Sequence, residues 1–97
     1  MKIVSGKTIY QLISKFPACE KELLTWLKMA RRVKWKNEED LEEDWPAVHF
    51  YSKRRVLFKI KGEDGNRYRL LAEVNFKLEY IWVESMGTPE DYQDMQI

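Results

Sequence analysis

Arg55-Val56-Leu57-Phe58-Lys59-Ile60-Lys61, Gly62-Glu63-Asp64-Gly65 and Arg67-Tyr68-Arg69-Leu70-Leu71-Ala72-Glu73-Val74-Asn75-Phe76 together decide the fold. Val56, Phe58 and Ile60 alternate with Arg55, Leu57, Lys59 and Lys61, a period of two that belongs to a strand with one buried face. Gly-Glu-Asp-Gly is a turn signal. Tyr68, Leu70, Ala72, Val74 and Phe76 then resume the alternation. A second turn near Lys77-Leu78 leads into a third strand, Tyr80 to Met86, which Gly87-Thr88-Pro89 breaks. The expected inward set is Val56, Phe58, Ile60, Tyr68, Leu70, Ala72, Val74, Ile81 and Val83. If these pair, Ile60 faces Tyr68 and Phe58 faces Leu70. The outward face then sets Lys59 opposite Arg69, Arg55 opposite Glu73, Glu73 opposite Trp82 and Leu71 opposite Glu84.

Upstream of Pro46 the period is helical. Lys2-Ile3-Val4 reads as an edge strand, and Ser5 as the N-cap of a helix from about Lys7 to Lys15. Phe16-Pro17 stops that helix, because a residue before proline avoids the α region. Pro17 suits the first turn of a second helix running to about Arg32, whose stripe is Leu23, Leu24, Trp26, Leu27 and Ala30. Asn37 caps a short acidic helix, Glu38 to about Asp44, which Pro46 ends. At the other end Thr88 can cap a last helical turn with Pro89 in its first position. The fold class is therefore α+β: an N-terminal helical hairpin on one face of a mainly antiparallel sheet, with a short C-terminal helical turn.

The 97 residues suit a single domain over 1–97, and 44% apolar content excludes a disordered chain. One cysteine, Cys19, excludes an internal disulfide, and with one histidine, His49, no multi-ligand zinc site is expected. No apolar run reaches the roughly 18 residues of a membrane helix, and the amphipathic start does not read as a signal peptide. A soluble, cytoplasmic protein with a reduced thiol is expected, without cofactor or metal. Cys19 and His49 read as packing or surface residues, and Trp26 and Trp35 as core and hinge packing.

The net charge of +1 hides an ordering along the chain. Residues 53–80 carry eight basic and four acidic side chains, while residues 81–97 carry four acids and no base. Lys59 opposite Arg69 is informative, since like charges directly across a strand pair cost about 0.2–1 kcal/mol. An anion between them removes that cost. Lys61 and Arg67 extend the cluster, and Trp82 is expected beside it, which together suit phosphate and base. A plain solvated surface, with the long stems splayed into water, is the alternative.

From residue 66 onward the chain resembles HigB-type toxins of the RelE-like group of type II toxin–antitoxin systems. The resemblance is carried by Asn66-Arg67-Tyr68-Arg69-Leu70-Leu71, Val74-Asn75-Phe76-Lys77 and Gly87-Thr88 followed by Tyr92. Trp35-Lys36-Asn37 with the acidic helix, Trp45-Pro46, Arg55-Val56-Leu57-Phe58 and Leu24-Thr25-Trp26 fit as well. It implies a helical hairpin against a twisted sheet, and cleavage of mRNA, generally on the ribosome. A HigA-type helix-turn-helix antitoxin is the implied partner. The implied chemistry is metal-free attack of a ribose 2′-hydroxyl on its own 3′-phosphate, which needs a base, cations and a proton donor.

Carried onto this sequence, the resemblance sets Arg69 against the scissile phosphate, and from the cationic cluster Lys59 is expected to assist it. Tyr92 stacks on a base or relays a proton. Arg55 and Lys77 match further basic positions of the family, and with Lys61, Arg67 and Trp82 of the open face they are expected to contact RNA. Pro89 stands where the family pattern usually has histidine, and Glu73 and Glu84 where it often has arginine. Glu73 pairs with Arg55 and orders the face, or one of the two glutamates serves as general base. The alternative is a catalytically weakened or inactive member that binds RNA or antitoxin only.

Overall fold

The computed structural model describes residues 1–4 and 6–95, with the backbone alone for 93–95. In chain order the elements are β1 (Lys2–Val4), α1 (Gly6–Lys15), a 3₁₀ turn (Pro17–Cys19), α2 (Glu20–Arg32), α3 (Glu38–Asp44), β2 (Val48–Phe50), β3 (Arg55–Lys61), β4 (Arg67–Asn75), β5 (Tyr80–Gly87) and a C-terminal 3₁₀ segment (Pro89–Met95) kinked at Tyr92. The sheet order is β1-β5-β4-β3-β2, antiparallel except for β1 beside β5. The expected α+β architecture is present. The second helix begins as a 3₁₀ turn at Pro17, where the absent proline N–H costs nothing. Ser5, read as an N-cap, lies outside the described residues. Two features went unread: β2, too short at three residues to show a period, and the parallel direction of β1.

The inner face is apolar and closed by helices. Phe58 is fully buried between Trp26, edge-on at 5.2 Å, and Trp35, stacked at 6.3 Å. All nine residues assigned inward by alternation are buried. Local chemistry sets the helix ends. The Asn37 side chain accepts from the Asp40 amide at 2.9 Å, as a cap must. Acids open α2 at Glu20 and Glu22 and bases close it at Arg31 and Arg32, matching the helix dipole.

At the hairpin tip, Gly65 adopts a φ of +83°, a conformation that favours glycine. Asp64 accepts hydrogen bonds from the Asn66 amide at 2.9 Å and the Tyr68 hydroxyl at 2.8 Å. Those bonds hold its carboxyl below the ordinary carboxylate range. The Glu63 amide donates to the Ala18 carbonyl at 2.8 Å and ties the hairpin tip to the helical layer.

The register agrees with the sequence reading at Lys59↔Arg69, Phe58↔Leu70, Ile60↔Tyr68, Arg55↔Glu73 and Glu73↔Trp82. It departs at Leu71, which faces Ser85 rather than Glu84. Glu84 is the extra residue of a β-bulge, so two β5 residues oppose one on β4. Period-two counting cannot anticipate that slip.

Candidate nucleic-acid interface

On the outer face the side chains fall into rows across the strands. Lys61 and Arg67 form the end row. Lys59, Arg69 and Gly87 form the next. His49, Leu57, Leu71 and Ser85 form the third, and Arg55, Glu73, Trp82 and Val4 the fourth. The face was expected to be open, but its third row is covered. Leu57 is fully buried and Leu71 nearly so, beneath the C-terminal segment. Tyr92 closes this second small cluster at 8% exposure.

Its phenol lies 3.0 Å from the Ser85 hydroxyl, and burial pushes its pKa up. An exposed ring for base stacking is therefore not on offer. Asp91 fastens the start of the segment by accepting from the Thr88 amide at 2.8 Å and hydroxyl at 3.2 Å. Thr88 precedes the segment with Pro89 in its first position, as expected, and its carbonyl accepts from the Asp91 amide at 3.1 Å, while its hydroxyl donates to the Asp91 carboxylate instead of capping an amide. Gly87 leaves room for this carboxylate, since a Cβ there would lie 2.5 Å from an Asp91 oxygen.

The two basic rows line a groove of about 490 Å³. Lys59, Lys61, Arg67 and Arg69 form one side, and Trp45, Pro46 and Ala47 of the α3–β2 link form the other. Trp45 donates its indole N–H to the Lys59 carbonyl at 3.2 Å, which fixes the wall against the strand. Glu22 and Asp44 also line the groove. Asp44 is occupied, accepting from the Trp35 indole at 2.8 Å. Arg69 is half-buried, and burial followed by repulsion from Arg67 lowers its pKa. It donates to the Tyr68 carbonyl at 3.1 Å, while its Nε is buried with no partner. A buried donor left unpaired is costly unless something arrives to accept from it.

Other expected site residues lie elsewhere. Trp82 was expected beside the cations. It sits two rows from Arg69, about 13 Å at 3.3 Å per residue. Trp45 is the aromatic at the groove, a residue that alternation could not find because it lies in the link between α3 and β2. Arg55 pairs with Glu84 at 3.3 Å and donates a hydrogen bond to the Tyr51 hydroxyl at 3.2 Å. Glu73, across the strand from Arg55, instead accepts from the Tyr80 hydroxyl at 3.1 Å. One oxygen of Glu84 is buried without a partner. Lys77 is in the β4–β5 turn, at the far end of the sheet from Arg67. His49, set aside in the sequence, shares the outer face with Lys59, one row away.

Residues 19–95 match the family model described as HigB_toxin, RelE-like toxic component of a toxin-antitoxin system. The chain belongs to this HigB toxin family. No curated protein matches it. Membership makes the chain the toxin of a toxin–antitoxin system, with an antitoxin as its implied partner, in a family whose RelE-like members generally have endoribonuclease activity. Among the described residues, no helix is long and apolar enough to cross a membrane. None of them form a group of three or more side chains suited to a metal ion.

Proposed function

We propose that this HigB-family chain is a cytoplasmic endoribonuclease that cuts mRNA on the ribosome and is neutralised by a HigA-type antitoxin. The observation that carries the reading is the basic groove. Four cations from two adjacent strands meet there, with Lys59 across from Arg69 and Lys61 across from Arg67. Among the described residues, no carboxylate forms an ion pair with any of the four. The arrangement costs stability in the free protein and suits a phosphate chain.

Arg69 is assigned to the scissile phosphate. Its guanidinium can meet two oxygens at once, and an anion there would reach the unpaired Nε. Lys59 shares the charge that grows on the phosphate as the 2′-hydroxyl attacks. Attack leaves a 2′,3′-cyclic phosphate and expels the 5′-oxygen, which takes up a proton. Lys61 and Arg67 track the flanking backbone, and Trp45 supplies a surface for a base. Glu22 is the carboxylate that the groove offers as base, since Glu73 and Glu84 are held by other partners outside it. For Tyr92 the role that remains is proton relay, through Ser85.

Expression without antitoxin is expected to arrest bacterial growth, and purified protein to cut ribosome-bound mRNA leaving a cyclic phosphate. Normal growth at high soluble expression, with intact message, would refute the enzyme and favour a module that only binds.

A further inference from the structure

A second groove, also about 490 Å³, lies at the opposite end of the sheet. Lys53, Arg54 and Lys77 line it together with Phe76 and Leu78, and no acid lines it. All three cations are exposed, and among the described residues none forms an ion pair. Leu78 is 68% exposed, the highest value among the exposed large apolar side chains. From Arg69 to Asn75 on β4 the chain runs about 20 Å at 3.3 Å per residue, so the two grooves are separate sites.

Their chemistry differs. The first groove adds an indole to its cations, whereas the second adds an exposed leucine. An aliphatic side chain offers no ring for a base to stack on, and its exposure is relieved by another apolar side chain. Cations sharing a groove with an exposed leucine complement an acidic segment that carries a large apolar residue. We infer that this second groove docks such a segment of the antitoxin, leaving the basic groove to RNA. The inference rests on the toxin reading, and it assigns antitoxin and RNA to different ends of one sheet.

The test measures affinity of the full chain for two labelled probes: the full-length antitoxin encoded with it, and an oligouridylate RNA. Lys53→Glu/Arg54→Glu is expected to weaken antitoxin binding about 100-fold and to flatten its loss with salt, because the screened attraction is gone. Leu78→Ala should weaken it about tenfold, as expected for an apolar anchor. Lys53→Gln/Arg54→Gln, which removes charge without reversing it, guards against misfolding and should weaken it about tenfold. RNA affinity should stay within about twofold throughout. Antitoxin affinity unchanged in all three variants overturns the docking site, and RNA affinity falling alone makes the groove a second RNA contact. Cleavage of ribosome-bound mRNA by the wild type is measured beside them. Its absence counts against the nuclease and leaves the antitoxin result readable.

Discussion

The two faces of the β3–β4 hairpin are built from alternate residues of the same strands, yet they are held by different physics. On the inner face, Val56, Phe58 and Ile60 meet Ala72, Leu70 and Tyr68 beneath three helices, and all six are buried. Any volume change there leaves a cavity or a clash. On the outer face, the same backbone presents Lys59 to Arg69 and Lys61 to Arg67, pairs that repel each other. One face stores stability, and the other spends a little of it to keep cations close. The C-terminal segment divides the outer face further, covering Leu57 and Leu71 while leaving the basic rows clear.

Substitution on each face should separate these roles. The largest effect is expected at Phe58→Ala, which empties the space between Trp26 and Trp35. It should cost about 3–5 kcal/mol and lower Tm by more than ~10 °C, as read by thermal unfolding. Arg69→Ala should do the reverse. Cleavage of ribosome-bound mRNA falls about 10²–10³-fold, the scale for removing one preorganised donor at a developing charge. Its Tm stays level or rises, because a repelled, partly desolvated guanidinium is gone. A large fall in Tm would make Arg69 a structural residue and erase the distinction between the faces.

Tyr92→Phe tests the covered strip between them. Losing the bond to Ser85 should cost about 0.5–1.5 kcal/mol. Burial raises the Tyr92 pKa, so the folded state favours the neutral phenol. That contribution is complete below the unfolded value near ~10 and is lost as pH rises through the folded one. The wild type should therefore lose more stability on alkaline titration than Tyr92→Phe, and parallel curves would place the phenol in solvent. The smallest effect concerns Cys19, fully buried on the inner side, with its thiol pushed up to about 11 by burial and then Asp64 and Glu22. Iodoacetamide at neutral pH should label it only on the timescale of unfolding. Rapid labelling of the folded protein would show the inner layer to be open.

Most of the inner face was legible in the sequence, because burial enforces a strict period on each strand. The same counting fixed Lys59 against Arg69, since the outer partners follow once the inner ones are paired. It failed where an extra residue enters, and the bulge at Glu84 moved Leu71 onto Ser85. It could not bring Trp45 to the groove or separate Trp82 from it. Trp45 reaches the cations by the path of an irregular link, and Trp82 lies two rows away along the strand. Nor could it lay Tyr92 over Leu57 and Leu71, because a 3₁₀ segment of seven residues has no period to read. Leu57 and Leu71 themselves, apolar at positions assigned to solvent, were the available sign that something covers them.

The pairing of β1 with β5 sets an order in time. Lys2 to Val4 can join the sheet only when Tyr80 to Trp82 exist, so the first strand made is completed by the last. At synthesis rates of about 5–20 residues per second, β1 waits on the order of 4–16 s for its partner. The β2–β3–β4 meander closes over much shorter loops and can pair earlier. Both basic strands belong to that early meander, whereas Ser85, Gly87 and the segment that covers Leu57 are made only after β4. A nascent chain thus displays its cations before its outer face is finished.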